Sequence, residues 1–231
     1  MKQPINKCTA GFSLLELLIV LALTGLVAAA GYTFYTSQYR TKIQQDRVTG
    51  MQQNLRSAME IMARDIRMAG YDPTEEAGSG ITTATATQLS FTYATDADTN
   101  GIDDDGDNVV DEADEGRLTA SVTYTIGDGN KDGNPDILRN FNGGGNVVVS
   151  ESMEALEFNY ILQDGSTTGA PTALDNITAV RLALLARTPR VDPAFNNSVI
   201  YTGFASNWGP FDDGRRRRLL LRTIQCRNRG F

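Results

Sequence analysis

Two acidic stretches carry the side chains with the clearest capacity for chemistry, because carboxylates at alternate positions are typical of calcium-binding loops. Between Asp96 and Asp136 lie 13 of the chain's 28 acidic residues, with only Arg117 and Lys131 of opposite charge. Carboxylates crowded in this way repel one another unless cations or water separate them. A calcium loop of EF-hand type takes oxygen ligands from its first, third, fifth, ninth and twelfth positions and turns sharply at the sixth.

The first stretch, Asp96–Glu115, fits this pattern in two overlapping frames. The later frame supplies Asp103, Asp105, Asp107, Asp111 and Asp114, with Asn108 at the turn, and the earlier one supplies Asp96, Asp98, Asn100, Asp104 and Asp107, with Gly101 at the turn. Because both frames need Asp107, they cannot both fill as simple loops. The spacing predicts a calcium site here, and a solvated acidic loop is the alternative.

The second stretch, 128–136, is a weaker candidate for the same metal. It offers Asp128, Asn130, Asp132 and Asp136, with Gly133 at the turn, but Arg139 stands where the twelfth ligand belongs. Magnesium fits either stretch less well, since it keeps several of its waters. Calcium is therefore the expected cofactor.

Composition excludes several kinds of enzyme. The chain of 231 residues has no histidine and a net charge of −7. Ser-His-Asp and Cys-His catalysis and histidine-ligated metals are therefore excluded, and no phosphate-binding glycine loop is present. We expect a protein that is not an enzyme.

The C-terminal end is basic, which raises the question of nucleic acid. Its arginines are Arg215, Arg216, Arg217, Arg218, Arg222, Arg227 and Arg229. Few aromatic residues for base stacking lie nearby, and the overall charge is acidic, so we do not expect nucleic acid as a partner. We expect these arginines to pair with the acidic loops or with a neighbouring subunit. The two cysteines, Cys8 and Cys226, are not expected to form a disulfide with each other.

The N-terminus has the order basic leader, glycine, apolar run. Lys2 and Lys7 precede Gly11, and the run from Phe12 to Tyr35 is about 36 Å long as a helix, enough to span a bilayer. A secretory signal is cut after its apolar region, whereas a cut at Gly11 would keep it. Glu16 lies inside this run, where a carboxylate costs about 2.5–3.5 kcal/mol. Snorkelling towards the headgroups is one explanation.

The stretch "GFSLLELLIVLALTGLVAAA" resembles the class III leader of type IV prepilins. The resemblance implies that a prepilin peptidase cuts after Gly11, that the new terminal Phe12 is N-methylated, and that Glu16 pairs with the terminal amine of a neighbouring subunit during assembly. A buried charge persists when a partner offsets its desolvation. The implied partners are other pilin and minor pilin subunits, the peptidase, the membrane before assembly and the inner-membrane assembly platform.

The remaining pattern predicts an α+β fold, in which a long N-terminal α-helix packs on a mainly antiparallel β-sheet head. The helix is predicted over about 13–69. Its apolar stripe consists of Val48, Met51, Leu55, Met59, Met62, Ile66 and Ala69, and Gly70 is typical of a helix C-cap. Strands are predicted at 88–94, 118–126, 137–141, 146–150, 156–162, 177–187 and 218–226.

The expected organisation has four parts. Residues 1–11 are a cleaved leader, 12–35 the transmembrane and filament-core half of the helix, 36–70 its amphipathic half, and 71–231 a β-rich head with acidic loops at 96–116 and 128–136. The precursor is expected in a bacterial inner membrane as a single-pass protein with its head in the periplasm, and the mature protein in the pilus at the cell surface.

The stretches "AMEIMARDIRMAGYDP", "DNITAVRLALLARTPR" and "RRRRLLLRTIQCRNRGF" resemble the PilW-like group of minor pilins. This resemblance implies a subunit that assembles into, or primes assembly of, a type IV pilus. A pseudopilin of a type II secretion system shares the leader and the helix and is the first alternative. A membrane-anchored calcium-binding adhesin is the second, and it needs neither Gly11 cleavage nor Glu16.

Overall fold

The computed structural model describes residues 13–72, 77–95 and 119–226. The chain divides into two units, Met1–Asp46 and Arg47–Phe231. One helix, α1, runs through Leu14–Met68 and contributes to both units. The predicted bounds of 13–69 are therefore confirmed to within a residue at each end.

The described part of the first unit is helix without a core. Every described residue from Ser13 to Tyr35 is exposed. Ser13 caps the helix, because its Oγ accepts the Leu15 backbone N–H at 3.3 Å and its carbonyl accepts that of Leu17 at 3.1 Å.

In the second unit, α1 buries the apolar stripe that the sequence predicts. Met51, Leu55, Met59, Met62 and Ile66 are 6% exposed or less, and they recur at spacings of three and four, which places them on one face of a helix. Ala69 is also buried, and Val48 packs at the edge of the core. Gly70 ends the helix with a φ of 72°, a left-handed conformation that glycine adopts at no steric cost.

Eleven strands follow among the described residues. They are β1 Ile81–Ala84, β2 Leu89–Ala94, β3 Thr119–Gly127, β4 Asp136–Phe141, β5 Asn146–Ser150, β6 Met153–Leu162, β7 Thr167–Thr168, β8 Ile177–Arg187, β9 Tyr201–Thr202, β10 Asn207–Trp208 and β11 Arg217–Gln225. A 3₁₀ turn at Leu174–Asn176 precedes β8.

The strands form two main sheets, and every pairing is antiparallel. The first sheet is a five-stranded meander in the order β1-β2-β3-β4-β5, and the second has the order β11-β8-β6-β7. The strands β9 and β10 form a separate two-stranded ribbon. The central strand β8 is buried along nearly its whole length, which explains why "ITAVRLALLA" is almost continuously apolar.

The core of the second unit combines the helix stripe with both main sheets. Its largest fully buried side chains include Tyr124, Tyr160, Phe91 and Phe158. The seven predicted strands are confirmed, with bounds shifted by at most three residues. The predicted antiparallel head consists of two main sheets, because β5 ends the first sheet and β6 instead pairs with β7 and β8.

Candidate functional site

The N-terminal segment of α1 carries most of the large apolar side chains that are exposed among the described residues. Side chains such as Leu14, Leu21, Leu26 and Val27 are 61% to 78% exposed. The helix contains a stretch long and apolar enough to cross a membrane, and none of that stretch is buried within the protein. Water disfavours such a surface by about 25 cal/mol per Å², so it requires a bilayer or other protein as its surroundings.

Glu16 lies in the first turn of this helix and is exposed. The N-terminus of a helix carries a partial positive charge that stabilises a carboxylate there. Gly11 and Phe12, the predicted cleavage and methylation residues, lie outside the described residues. The predicted roles of Gly11, Phe12 and Glu16 therefore stay predictions.

The first acidic stretch, 96–116, also lies outside the described residues, so the nine candidate ligands in it are not placed. The second stretch is described, and its side chains bind their own loop. Asp128 accepts the backbone N–H groups of Asp132 and Gly133 at 3.1 and 2.9 Å, and Asn130 accepts that of Asp132 at 3.0 Å. Asp132 accepts the Asn134 N–H at 2.8 Å.

The hydrogen bond from Asn134 to Asp132 stabilises the charged form of the Asp132 carboxyl. The backbone N–H of Asn134 holds the pKa of the Asp132 carboxyl below its usual range, because a hydrogen bond to the charged form favours it. The loop thus stabilises its own carboxylates through N–H donors.

Asp136 is oriented differently from the other candidate ligands of this loop. It is fully buried, and its two carboxylate oxygens accept the N–H groups of Ser152 and Gly129 at 3.2 and 3.3 Å. Among the residues that the structure describes, no three acidic, cysteine or histidine side chains are grouped as a metal site. The calcium prediction for this loop is untested and stays a prediction.

The basic C-terminal strand makes ion pairs within its own unit. Arg217 is 1% exposed and contacts Glu154 at 2.8 Å and Asp213 at 2.6 Å, while Arg216 contacts Asp192 at 3.0 Å. Arg222 contacts Glu60 of α1 at 2.5 Å. These partners lie outside the second acidic loop, and pairing of the C-terminal arginines with the first acidic stretch or with a neighbouring subunit stays a prediction. Their pairing supports a structural rather than a DNA-binding role.

Sequence reasoning missed a polar tether between α1 and the first sheet. Asp65 accepts the Tyr124 hydroxyl at 2.6 Å and the Nε–H of Arg139 at 2.8 Å. Burial, and then the bond to Asp65, raise the pKa of Tyr124 well above its usual value, so the phenol remains a donor. Arg139, which occupies the twelfth position of the second acidic loop, is engaged here.

A second missed feature is Glu157 in β6, which is 3% exposed. Its carboxylate accepts the N–H groups of Ala205 and Phe204 at 2.7 and 3.0 Å, which are in the turn between β9 and β10. The guanidinium of Arg181 stacks over the Phe204 ring at 3.9 Å. A side chain at Gly203 would collide with Glu157 and Trp208, so glycine is required there. The signal in the sequence is an acid between the apolar residues Leu156 and Phe158 of β6.

Comparison with known proteins gives matches at both ends of the chain. A family model described as Type IV Pilus-assembly protein W matches residues 122–228, and a model of the prokaryotic N-terminal methylation motif matches residues 6–32. No curated protein sequence is similar enough to count as a match. A solved structure of a type IV-like pilin from Thermus thermophilus aligns at 16% identity with a TM-score of 0.46, covering 77% of this chain and 97% of that one.

The two family models coincide with the features established independently from the sequence. The methylation motif covers Gly11, Phe12 and Glu16, and the other match extends over most of β3 to β11. These two matches support a PilW-like type IV pilin, a minor pilin in type IV pilus assembly.

Proposed function

We propose that the chain is made as a precursor anchored by α1 in the inner membrane, with its head in the periplasm. A prepilin peptidase then cuts it after Gly11, and the mature subunit enters a type IV pilus or the complex that initiates one. The observation that carries this proposal is the contrast within α1, whose first part is fully exposed and apolar while its second part completes a core. The role is structural, and no catalytic step is assigned to the chain.

Orientation and processing are supported by charge and order in the sequence. Lys2 and Lys7 precede the apolar run, and basic residues favour the cytoplasmic side of a membrane. Gly11 has no Cβ, which permits close approach of the peptidase to the backbone. Cleavage there creates an amine, and we propose that Glu16 pairs with the amine of a neighbouring subunit.

The pilus is preferred over a secretion pseudopilus because the matching family is that of a pilus-assembly protein. The membrane-anchored adhesin has no corresponding support. Calcium binding by the acidic stretches remains part of the proposal, as a stabiliser of the head rather than as a catalytic group.

Mass spectrometry of the N-terminus of the protein from sheared pili tests processing. We expect a chain that starts at N-methylated Phe12. A Gly11→Leu variant should accumulate as full-length precursor in the membrane, while Gly31→Leu, a glycine inside the exposed helix, should be cut normally. Pilus protein that still carries Met1 would refute the proposal.

The Glu16→Leu variant tests assembly separately from processing. It should be cut and should remain in the membrane, because the apolar side chain favours insertion, yet it should be depleted from pili. Glu16→Asp keeps the charge and serves as the control. Normal amounts of Glu16→Leu in sheared pili would leave snorkelling as the explanation of this residue.

A further inference from the structure

Three tyrosines lie together on one face of the N-terminal part of α1. Tyr32, Tyr35 and Tyr39 are 70%, 66% and 55% exposed. At about 100° per residue they fall within about 60° of arc around the helix axis. The rings of Tyr35 and Tyr39 stack with their centroids 6.2 Å apart and an interplanar angle of 15°. Together they form an ordered aromatic surface, which we call the tyrosine face.

The tyrosine face begins where the apolar run ends. Leu14 and Tyr32 are about 27 Å apart along the helix axis at 1.5 Å per residue, close to the thickness of about 30 Å of a hydrocarbon core. Tyr32 and Tyr39 are separated by about 10 Å along the axis, so the three tyrosines cover the depth of one headgroup layer, which is about 5–8 Å. Tyrosine is enriched at this depth because its ring is apolar and its hydroxyl is polar.

Charged residues return immediately after the tyrosine face. No acidic residue lies between Glu16 and Asp46, and the first basic residues after the apolar run are Arg40 and Lys42. At about 100° per residue both lie about 80° from Tyr32, one on either side of the tyrosine face. Their long side chains can extend to lipid phosphates while the helix remains inserted.

Three threonine hydroxyl groups around the tyrosine face donate hydrogen bonds within the helix. Thr33 donates to the Ala30 carbonyl at 2.9 Å, Thr36 to that of Thr33 at 3.0 Å, and Thr41 to that of Ser37 at 3.1 Å. Such bonds remove the penalty of placing a hydroxyl in apolar surroundings. The segment is therefore compatible with the outer part of a bilayer.

We infer that Tyr32, Tyr35 and Tyr39 anchor the precursor in the outer headgroup layer of the membrane and set the depth of α1. Glu16 and Tyr35 are about 28 Å apart along the axis, so this depth places Glu16 at the opposite boundary. The carboxylate is then hydrated until assembly supplies its partner. The inference rests on the membrane-anchored precursor of the proposed function, and it commits to phospholipid headgroups as the occupant of the tyrosine face.

Depth-dependent fluorescence quenching tests the location. The full-length chain is reconstituted in vesicles of phosphatidylethanolamine and phosphatidylglycerol that carry bromine at a shallow or a deep acyl position. A Tyr35→Trp variant should be quenched several-fold more by shallow bromine than by deep bromine. Leu21→Trp, placed near the middle of the span, should show the reverse. Each is measured against the parent, which contains Trp208 as its only tryptophan.

A second arm tests whether the tyrosines hold the depth. Replacing all three by alanine should change the shallow-to-deep quenching ratio of the Leu21→Trp reporter at least twofold, because the helix then shifts or tilts. Replacing all three by phenylalanine keeps the rings but removes the hydroxyl groups, and should have an intermediate effect. An unchanged ratio in the alanine variant would overturn the inference.

The outcomes separate the anchor from the proposed function. If bromine at neither depth quenches the Leu21→Trp reporter, the helix does not insert, and the membrane stage itself fails. If that reporter is quenched by deep bromine while Tyr35→Trp is insensitive to shallow bromine, the anchor fails and insertion stands. Disulfide-linked dimers of a Tyr39→Cys variant in a Cys8→Ser, Cys226→Ser chain would assign the tyrosine face to a second copy and overturn the lipid occupant.

Discussion

The N-terminal part of α1 exposes its apolar side chains, whereas the head buries its own. From Ser13 to Tyr35 every residue is exposed although most are apolar, whereas the head buries Phe91, Phe158 and Tyr160 completely. The same helix, α1, contributes to both. The head therefore carries its own core, while the N-terminal segment depends on surroundings that the chain does not supply, which in the proposed function are first lipid and then other subunits.

The largest expected effect separates the two regions by stability. Phe158→Ala removes a fully buried ring from β6 and should destabilise the head by about 3–5 kcal/mol. For a chain of this size that corresponds to a drop in melting temperature of roughly 10 °C. Leu21→Ala changes a side chain that is 61% exposed and should leave the melting temperature unchanged. Thermal unfolding of the full-length chain in detergent measures both.

An equal loss in the two variants would contradict the comparison, since it would mean that the N-terminal segment shares a core with the head. Leu21→Val is the control for the helix variant, because it keeps an apolar side chain of intermediate size. The amount of protein incorporated into pili should rank the two variants in the opposite order. Leu21→Ala should reduce that amount more than its unchanged melting temperature suggests.

The sequence predicted the features that depend on local periodicity. The stripe from Met51 to Ala69 recurs at helical spacing, and its burial is confirmed. The strand β8 was recognised because β-branched and apolar residues fill "ITAVRLALLAR". The strand β1, "ITTA", was missed because threonine and alanine give little alternation, and β7, β9 and β10 have two residues each.

Features that depend on distant pairs were not predictable in the same way. Asp65 binds Tyr124 and Arg139, which lie 59 and 74 residues further along the chain. No local pattern marks that meeting, since it follows from how the first sheet packs on α1. The arginine pairs of β11 have the same origin. Gly11, Phe12 and Glu16 belong to a short sequence motif. They can therefore be identified as candidates without knowledge of the fold.

The second prediction concerns calcium, which should distinguish the head from the N-terminal segment, because only the head contains the acidic stretches. A ligand that binds only the folded state at a hundredfold excess over its Kd stabilises by about 2.7 kcal/mol. Extracellular calcium modules bind at about 10⁻⁴–10⁻³ M. Millimolar calcium should therefore raise the melting temperature of the full-length chain, and magnesium should do so less.

Variants distinguish the two acidic stretches. Asp107→Ala should weaken the calcium effect in either frame, Asp105→Ala chiefly in the later frame, and Asp132→Ala least, since Arg139 holds the twelfth position of its loop. Equal melting temperatures in calcium, magnesium and chelator would leave both stretches as solvated loops.

The third prediction concerns acid stability of the head. The hydrogen bond from Arg217 at 2.6 Å holds the pKa of Asp213 below its usual range. A carboxyl with a lowered folded pKa contributes stability above its unfolded pKa of about 3.9 and loses it as the pH falls through the folded value. Asp213→Asn should therefore reduce the loss of stability that occurs below about pH 4. We expect this change in stability to be smaller than the stabilisation by calcium.

Melting temperatures measured from about pH 7 down to about pH 2 check this prediction. Asp212→Asn is the matched control, because Asp212 is the exposed neighbour in the same turn and asparagine tolerates its φ of 48°. Parallel curves for wild type and Asp213→Asn would show that the pair does not contribute to acid sensitivity.

The smallest effect is expected where α1 meets the edge strand β11. Glu60 and Arg222 are 2.5 Å apart, but their side chains are 65% and 31% exposed, and exposed ion pairs contribute about 0.2–1 kcal/mol. A double-mutant cycle with Glu60→Ala and Arg222→Ala should therefore give a coupling energy near the lower limit of detection. The same cycle on Asp65 and Arg139, whose side chains are 19% and 28% exposed and share Tyr124, should give a larger value, because bonds to less hydrated charges are stronger. A larger coupling for Glu60 and Arg222 would show that α1 is held mainly at β11 rather than at the first sheet.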